Sequence, residues 1–76
     1  MNVEVIEVVT VNQEERLEAL MSRRLGNRIR DLRVRIHPGG MILQGRTGTY
    51  HAKQLAQHAA MELAELPILA NDIQVF

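Results

Sequence analysis

The sequence predicts a small α+β fold in the order strand, helix, strand, strand, helix, strand. Three observations carry that reading. Residues 12–25 and 49–65 repeat apolar side chains at helical spacing, residues 29–37 alternate apolar with charged ones, and glycine-rich turns fall at 38–40 and 45–49. At 76 residues the chain is one domain, with residues 1–11 as an N-terminal strand extension and 12–76 as the core.

Each element has a local reason. Val3 to Val11 is rich in β-branched residues, which suit a strand, though its alternation slips after Val5. Asn12 is a helix cap, and Glu14 and Glu15 sit in the first turn, where the helix dipole favours acids. Leu17, Leu20, Met21 and Leu25 form one apolar stripe, and Gly26 supplies the positive dihedral that ends the helix. From Ile29 to His37, Leu32, Val34 and Ile36 face inward while Arg33, Arg35 and His37 face out. Pro38-Gly39-Gly40 turns the chain, and Met41 and Leu43 continue the inward face, which makes a hairpin. After Gly45-Arg46-Thr47-Gly48-Thr49, either Thr47 or Thr49 caps a helix running to about Glu65. Its stripe is Ala52, Leu55, Ala56, Ala59 and Leu63, small enough for close packing on a sheet. Pro67 stops it, and Ile73 and Val75 alternate with Asp72 and Gln74 in a last strand.

Composition excludes several chemistries. Cysteine is absent, so no disulfide, thiol nucleophile or thiolate zinc site is available. Serine occurs once, as Ser22, and Tyr50 and Phe76 are the only aromatics. That scarcity argues against a base-stacking platform for single-stranded nucleic acid. No apolar run approaches the ~20 residues of a membrane span. His51 and His58, seven apart on a helix, are ~10 Å from each other by the helical rise, too far to share a metal. No metal, cofactor or enzymatic role is expected.

Charge is balanced in number but not in position. Nine basic residues, eight of them arginine, cancel nine acids. Residues 1–20 carry a net −4, residues 21–53 a net +7 and residues 54–76 a net −3. Arginine binds planar oxyanions in a bidentate manner. The basic middle therefore reads either as a surface for phosphate or carboxylate groups, or as a solvated face whose arginines pair with the acidic ends. Gly45-Arg46-Thr47-Gly48-Thr49 has two readings as well. It is an anion site at a helix start, or a tight connection in which glycine satisfies geometry and threonine caps.

The stretch from Asn12 to Phe76 resembles a BON domain, a bacterial family named for osmotic-shock and nodulation proteins. The likeness is carried by Leu32-Arg33-Val34, the Gly39-Gly40 turn, Leu43-Gln44-Gly45-Arg46, Tyr50-His51-Ala52-Lys53-Gln54-Leu55-Ala56 and the closing Asn71-Asp72-Ile73-Gln74-Val75. It covers about 60 of the 76 residues. The resemblance implies an α-β-β-α-β core with two helices on one face of a small sheet, to which residues 1–11 add a strand. It also implies a non-enzymatic module, associated with bacterial membranes, that binds phospholipid. The strand and helix order fits a ferredoxin-like sheet too, so strand order stays open.

Together these readings predict peripheral binding to an anionic phospholipid surface through Arg28, Arg30, Arg33, Arg35, Arg46, Gly48, Thr49 and Lys53. The alternative is a protein-interaction or homodimerisation module that pairs Val3–Val11 across two chains, since an exposed apolar edge recruits another strand. Nucleic-acid binding is weaker, though backbone contact by arginine needs no aromatics. The acidic start Met1-Asn2-Val3-Glu4 is unlike a secretory signal. A cytoplasmic or membrane-associated location is therefore the expectation, or a periplasmic one if the sequence is a trimmed form.

Overall fold

The computed structural model describes residues 12–76. The predicted strand over Val3–Val11, and any pairing it makes, lies outside the described residues. The rest is α+β, with two helices and a three-stranded mixed sheet.

Helix α1 spans Gln13–Leu25. Asn12 caps it as expected, its Oδ1 accepting from the Glu15 N–H at 2.7 Å. Leu17, Met21 and Leu25, four residues apart, are buried. Leu20 departs from the expected stripe and is 39% exposed, because burial follows the i, i+4, i+8 row and leaves Leu20 on its flank. Gly26 ends the helix with φ 65°, and a short 3-10 turn, Gly26–Arg28, leads into the sheet.

Strand β1 (Arg30–His37) and strand β2 (Gly40–Thr47) form the expected antiparallel hairpin. Strand β3 (Ile68–Val75) pairs with β2 in parallel, giving the order β1-β2-β3. Helix α2 (Tyr50–Leu63) connects β2 to β3. Because those two parallel strands are direct neighbours, the β2-α2-β3 unit is not split by an intervening strand. That removes the ferredoxin-like alternative. Thr49, not Thr47, caps α2, its Oγ1 accepting from the Ala52 N–H at 3.0 Å. The helix ends at Leu63, two residues short of the expected Glu65, since the backbone at Ala64 turns extended ahead of Pro67.

Both helices cover one sheet face. Leu17, Met21 and Leu25 of α1 share a core with Ala56, Ala59 and Ala60 of α2 and with Val34, Met41, Leu43 and Ile73 of the sheet. The buried side of α2 is nearly all alanine, which lets its backbone lie close to the strands. Leu55 and Leu63 flank that face half-buried. Among the described residues the other sheet face carries no helix.

Two glycines are required by close approach. A Cβ on Gly40 would stand 2.5 Å from the Pro67 carbonyl oxygen, which accepts from the Met41 N–H at 2.9 Å. A Cβ on Gly45 would stand 2.9 Å from Ile29 Cγ2 and 3.0 Å from the Arg30 carbonyl oxygen. The leucine-x-glycine at the end of β2 is thus where β1 crowds its neighbour.

The outer edge of β1 is closed by side chains. Val34 and Ile36 turn their N–H groups away from β2. These donate to Glu18 Oε2 at 2.8 Å and Glu14 Oε2 at 2.7 Å. Two carboxylates one helical turn apart on α1 thereby satisfy an edge that would otherwise offer bare amides. Among the described residues no buried side-chain polar atom lacks a hydrogen-bond partner, and no helix is long and apolar enough to cross a membrane.

Candidate basic face and end groove

The helix-free face is built by strand alternation and one irregularity. Side chains opposite each other on neighbouring strands share a face. Arg33 stands opposite Gln44 and Arg35 opposite Ile42 on β2, and these in turn meet Asp72 and Ala70 on β3. Arg30 belongs by simple parity to the other side, with Leu32. A bulge between Arg30 and Arg33 adds one residue and brings Arg30 opposite Arg46, onto the same face as Arg33 and Arg35. Asp31 sits in that bulge with φ 55°, the one positive φ outside glycine among the described residues.

Ion pairs neutralise this face only in part. Asp31 Oδ2 accepts from Arg46 Nη2 at 2.8 Å. Glu18 Oε1 lies 3.9 Å from Arg33 Nη1, a long contact for a side chain that is 63% exposed. Arg24 pairs with Glu62 between the helices, away from the sheet. Among the described residues Arg28, Arg30 and Arg35 make no ion pair with a carboxylate. Among the described residues, the acidic ends take up Arg24 and, weakly, Arg33.

At the bulged end of the sheet the face runs into a groove of about 440 Å³, walled by Arg28, Arg30, Arg46, Thr47, Gly48 and Phe76. Its walls are tied down. The Arg28 guanidinium donates to the Leu25 carbonyl at 3.2 Å, and the Arg28 carbonyl accepts from Thr47 Oγ1 at 2.7 Å. The Phe76 N–H donates to the Thr47 carbonyl at 3.0 Å. Arg46 Cζ lies 6.0 Å from the Phe76 ring centroid, at the outer limit of a cation–π contact. Gly48 leaves its side of the groove open, with nothing within 4 Å of where a Cβ would be.

The structure thus gathers Arg28, Arg30, Arg46 and Gly48 at the groove and extends the basic face along Arg33 and Arg35. Thr49 is engaged as the α2 cap. Lys53 lies apart, half-buried on α2 beside Tyr50, Gln57 and Asn71. The three histidines do not converge, and among the described residues no three His, Asp or Glu side chains could hold a metal ion together.

No family model, curated protein or solved structure matches this chain.

Sequence reasoning missed four participants. Glu14 and Glu18 were legible only as helix acids, although their i, i+4 spacing marks one face of α1. Asp31, the lone acid in the basic segment, is the counter-ion of Arg46. Phe76 counted only as one of two aromatics, yet it walls the groove. Asn71, quoted for the resemblance, has a structural role: its Nδ2 donates to the Lys53 carbonyl at 3.1 Å and to Gln57 Oε1 at 3.2 Å, and its Oδ1 accepts from the Ile73 N–H at 3.2 Å. It clamps α2 to β3.

Proposed function

We propose that this chain is a non-enzymatic, BON-type binding module. It associates peripherally with anionic phospholipid through the helix-free face of its sheet. The observation that carries the reading is the alignment of Arg30, Arg33 and Arg35 on one exposed strand face with Arg46 alongside, where among the described residues Asp31 and Asp72 are the acids on that face and Glu18 makes one long contact to Arg33. The α-β-β-α-β order supports it, because both helices of the described residues pack on the opposite face.

The electrostatics favour such an association. Each basic residue near an anionic membrane contributes ~1 kcal/mol, so four arginines offset by two acids amount to about 2 kcal/mol before any specific contact. Such binding is salt-sensitive, since it acts over about a Debye length.

The test is co-sedimentation with phosphatidylglycerol-containing and pure phosphatidylcholine vesicles at low and high salt. Binding only to the anionic vesicles, lost with salt, is expected. Arg33→Glu with Arg35→Glu changes the face by four charges, about 4 kcal/mol or roughly a thousandfold in affinity. Undiminished vesicle binding by that variant would sink the assignment of the surface. Retention of a mixed RNA pool without vesicle binding would transfer the face to nucleic acid.

A further inference from the structure

Two local features of the basic face are unfavourable on their own, and they coincide. Like charges directly opposite on neighbouring strands destabilise a sheet, and Arg30 faces Arg46 in just that way. The bulge that creates this pair holds a non-glycine residue, Asp31, at φ 55°. A left-handed non-glycine residue is a local strain that persists where surrounding structure imposes it, and such strain gathers at functional sites. Regular pairing would have turned Arg30 to the other face and avoided both.

The groove beside this pair collects three guanidiniums, and two of them, on Arg28 and Arg30, pair with no carboxylate among the described residues. Arg28 is fixed at both its side chain and its carbonyl, and Arg46 is held between Asp31 and Phe76. The donors are therefore preorganised for a compact anion. A volume of about 440 Å³ falls within the ordinary range for small-ligand sites.

We propose that this groove recognises a phosphate monoester, whose charge at neutral pH approaches two, in preference to a diester, which carries one. Either a lipid phosphate headgroup or a soluble organophosphate presents that chemistry. The lipid form of the inference rests on the membrane reading above. The open face supplies general attraction, and the groove supplies headgroup selectivity.

The test uses the full 76-residue chain. Vesicles of phosphatidylcholine are doped with phosphatidate, a monoester, or phosphatidylglycerol, a diester, and matched by zeta potential. Glycerol 3-phosphate and dimethyl phosphate are titrated separately while amide shifts are followed by NMR. The chain is expected to prefer phosphatidate by about tenfold, the worth of one charge-assisted bond. Arg28→Gln, which lies off the sheet face, removes the preference and lowers phosphatidylglycerol binding by no more than about fivefold, the worth of one basic residue. Asp31→Asn, which tolerates the same backbone and frees Arg46, widens it. Glycerol 3-phosphate shifts the amides of Arg30, Thr47 and Gly48, and dimethyl phosphate does not.

Equal binding to the two matched vesicles, without shifts from glycerol 3-phosphate, overturns the groove and leaves the basic face standing. A phosphatidate preference that survives in Arg28→Gln overturns its assignment to this groove. If neither vesicle binds, the membrane reading fails and the soluble arm decides. Shifts at Gly48 then establish a soluble monoester site, and their absence ends the proposal.

Discussion

Removing the two carboxylates that close the β1 edge, by Glu14→Ala with Glu18→Ala, should destabilise the domain far more than any ion-pair deletion. Each carboxylate accepts from a part-buried amide, at 2.7 Å for Ile36 and 2.8 Å for Val34. Hydrogen bonds to charged groups contribute about 1.5–3 kcal/mol. Glu18 is only 16% exposed, but water can reach an edge strand once a side chain is truncated, so the lower end applies. The double variant should lose about 3 kcal/mol. At 4–8 °C per kcal/mol, that is a fall of about 12–24 °C in Tm. A domain of this size holds only about 4–11 kcal/mol in total. Thermal and urea unfolding by circular dichroism measure the loss. Arg33→Ala is the control. It removes the long Arg33–Glu18 contact, which is worth little at such exposure, and should shift Tm by less than about 3 °C. A double variant that unfolds with its control would show that the edge amides do not depend on these carboxylates.

Two further substitutions separate folding from binding. Gly40→Ala places a methyl 2.5 Å from the Pro67 carbonyl oxygen and must displace the start of β3. A loss of about 1–3 kcal/mol by urea denaturation is expected, as for other overpacked sites, and an unchanged midpoint would contradict the close approach. Thr49→Ala removes the α2 cap and should lower stability by about 1 kcal/mol. Its vesicle affinity should match that of the parent chain, because the Thr49 hydroxyl already serves the Ala52 amide; weakened binding would return Thr49 to the anion site.

Much of the fold was legible because its signals are local. The Asn12 cap, the Gly26 stop, the alternation of Leu32, Val34 and Ile36, and the Pro38–Gly40 turn each depend on neighbours a few residues away, and each appears where the sequence put it. Leu20 was misjudged because its burial depends on which flank of the helix meets the sheet, and the end of α2 because the backbone already turns extended at Ala64, ahead of Pro67. Strand order was not legible, since nothing within Ile68–Val75 says which strand it will join. The basic face was half legible. Alternation gave Arg33 and Arg35 correctly, but the placement of Arg30 depends on a bulge. The one sequence signal near it, Gly45, becomes meaningful only when β1 is seen to crowd that position. The groove was not legible at all, because it joins Arg28, Arg46 and Phe76 from three separate parts of the chain.

The fate of the acids explains why a chain with no net charge can present a basic surface. Glu14 and Glu18 had the right sign and proximity to neutralise β1, and simple charge balance would pair them with its arginines. They instead turn to the strand's own amides, which lie at its edge, whereas Arg33 and Arg35 project from its open face. A buried or part-buried amide left without an acceptor costs about 1–3 kcal/mol, and an exposed ion pair returns about 0–1. The amides therefore win the competition. Closing the edge and leaving the arginines largely uncompensated are one choice made by two glutamates. It follows that replacing Glu14 and Glu18 by glutamine, which keeps an acceptor oxygen, should preserve most of the edge closure. The face would become only slightly more basic, because of the two charges removed only that of Glu18 reaches it, through the long contact to Arg33.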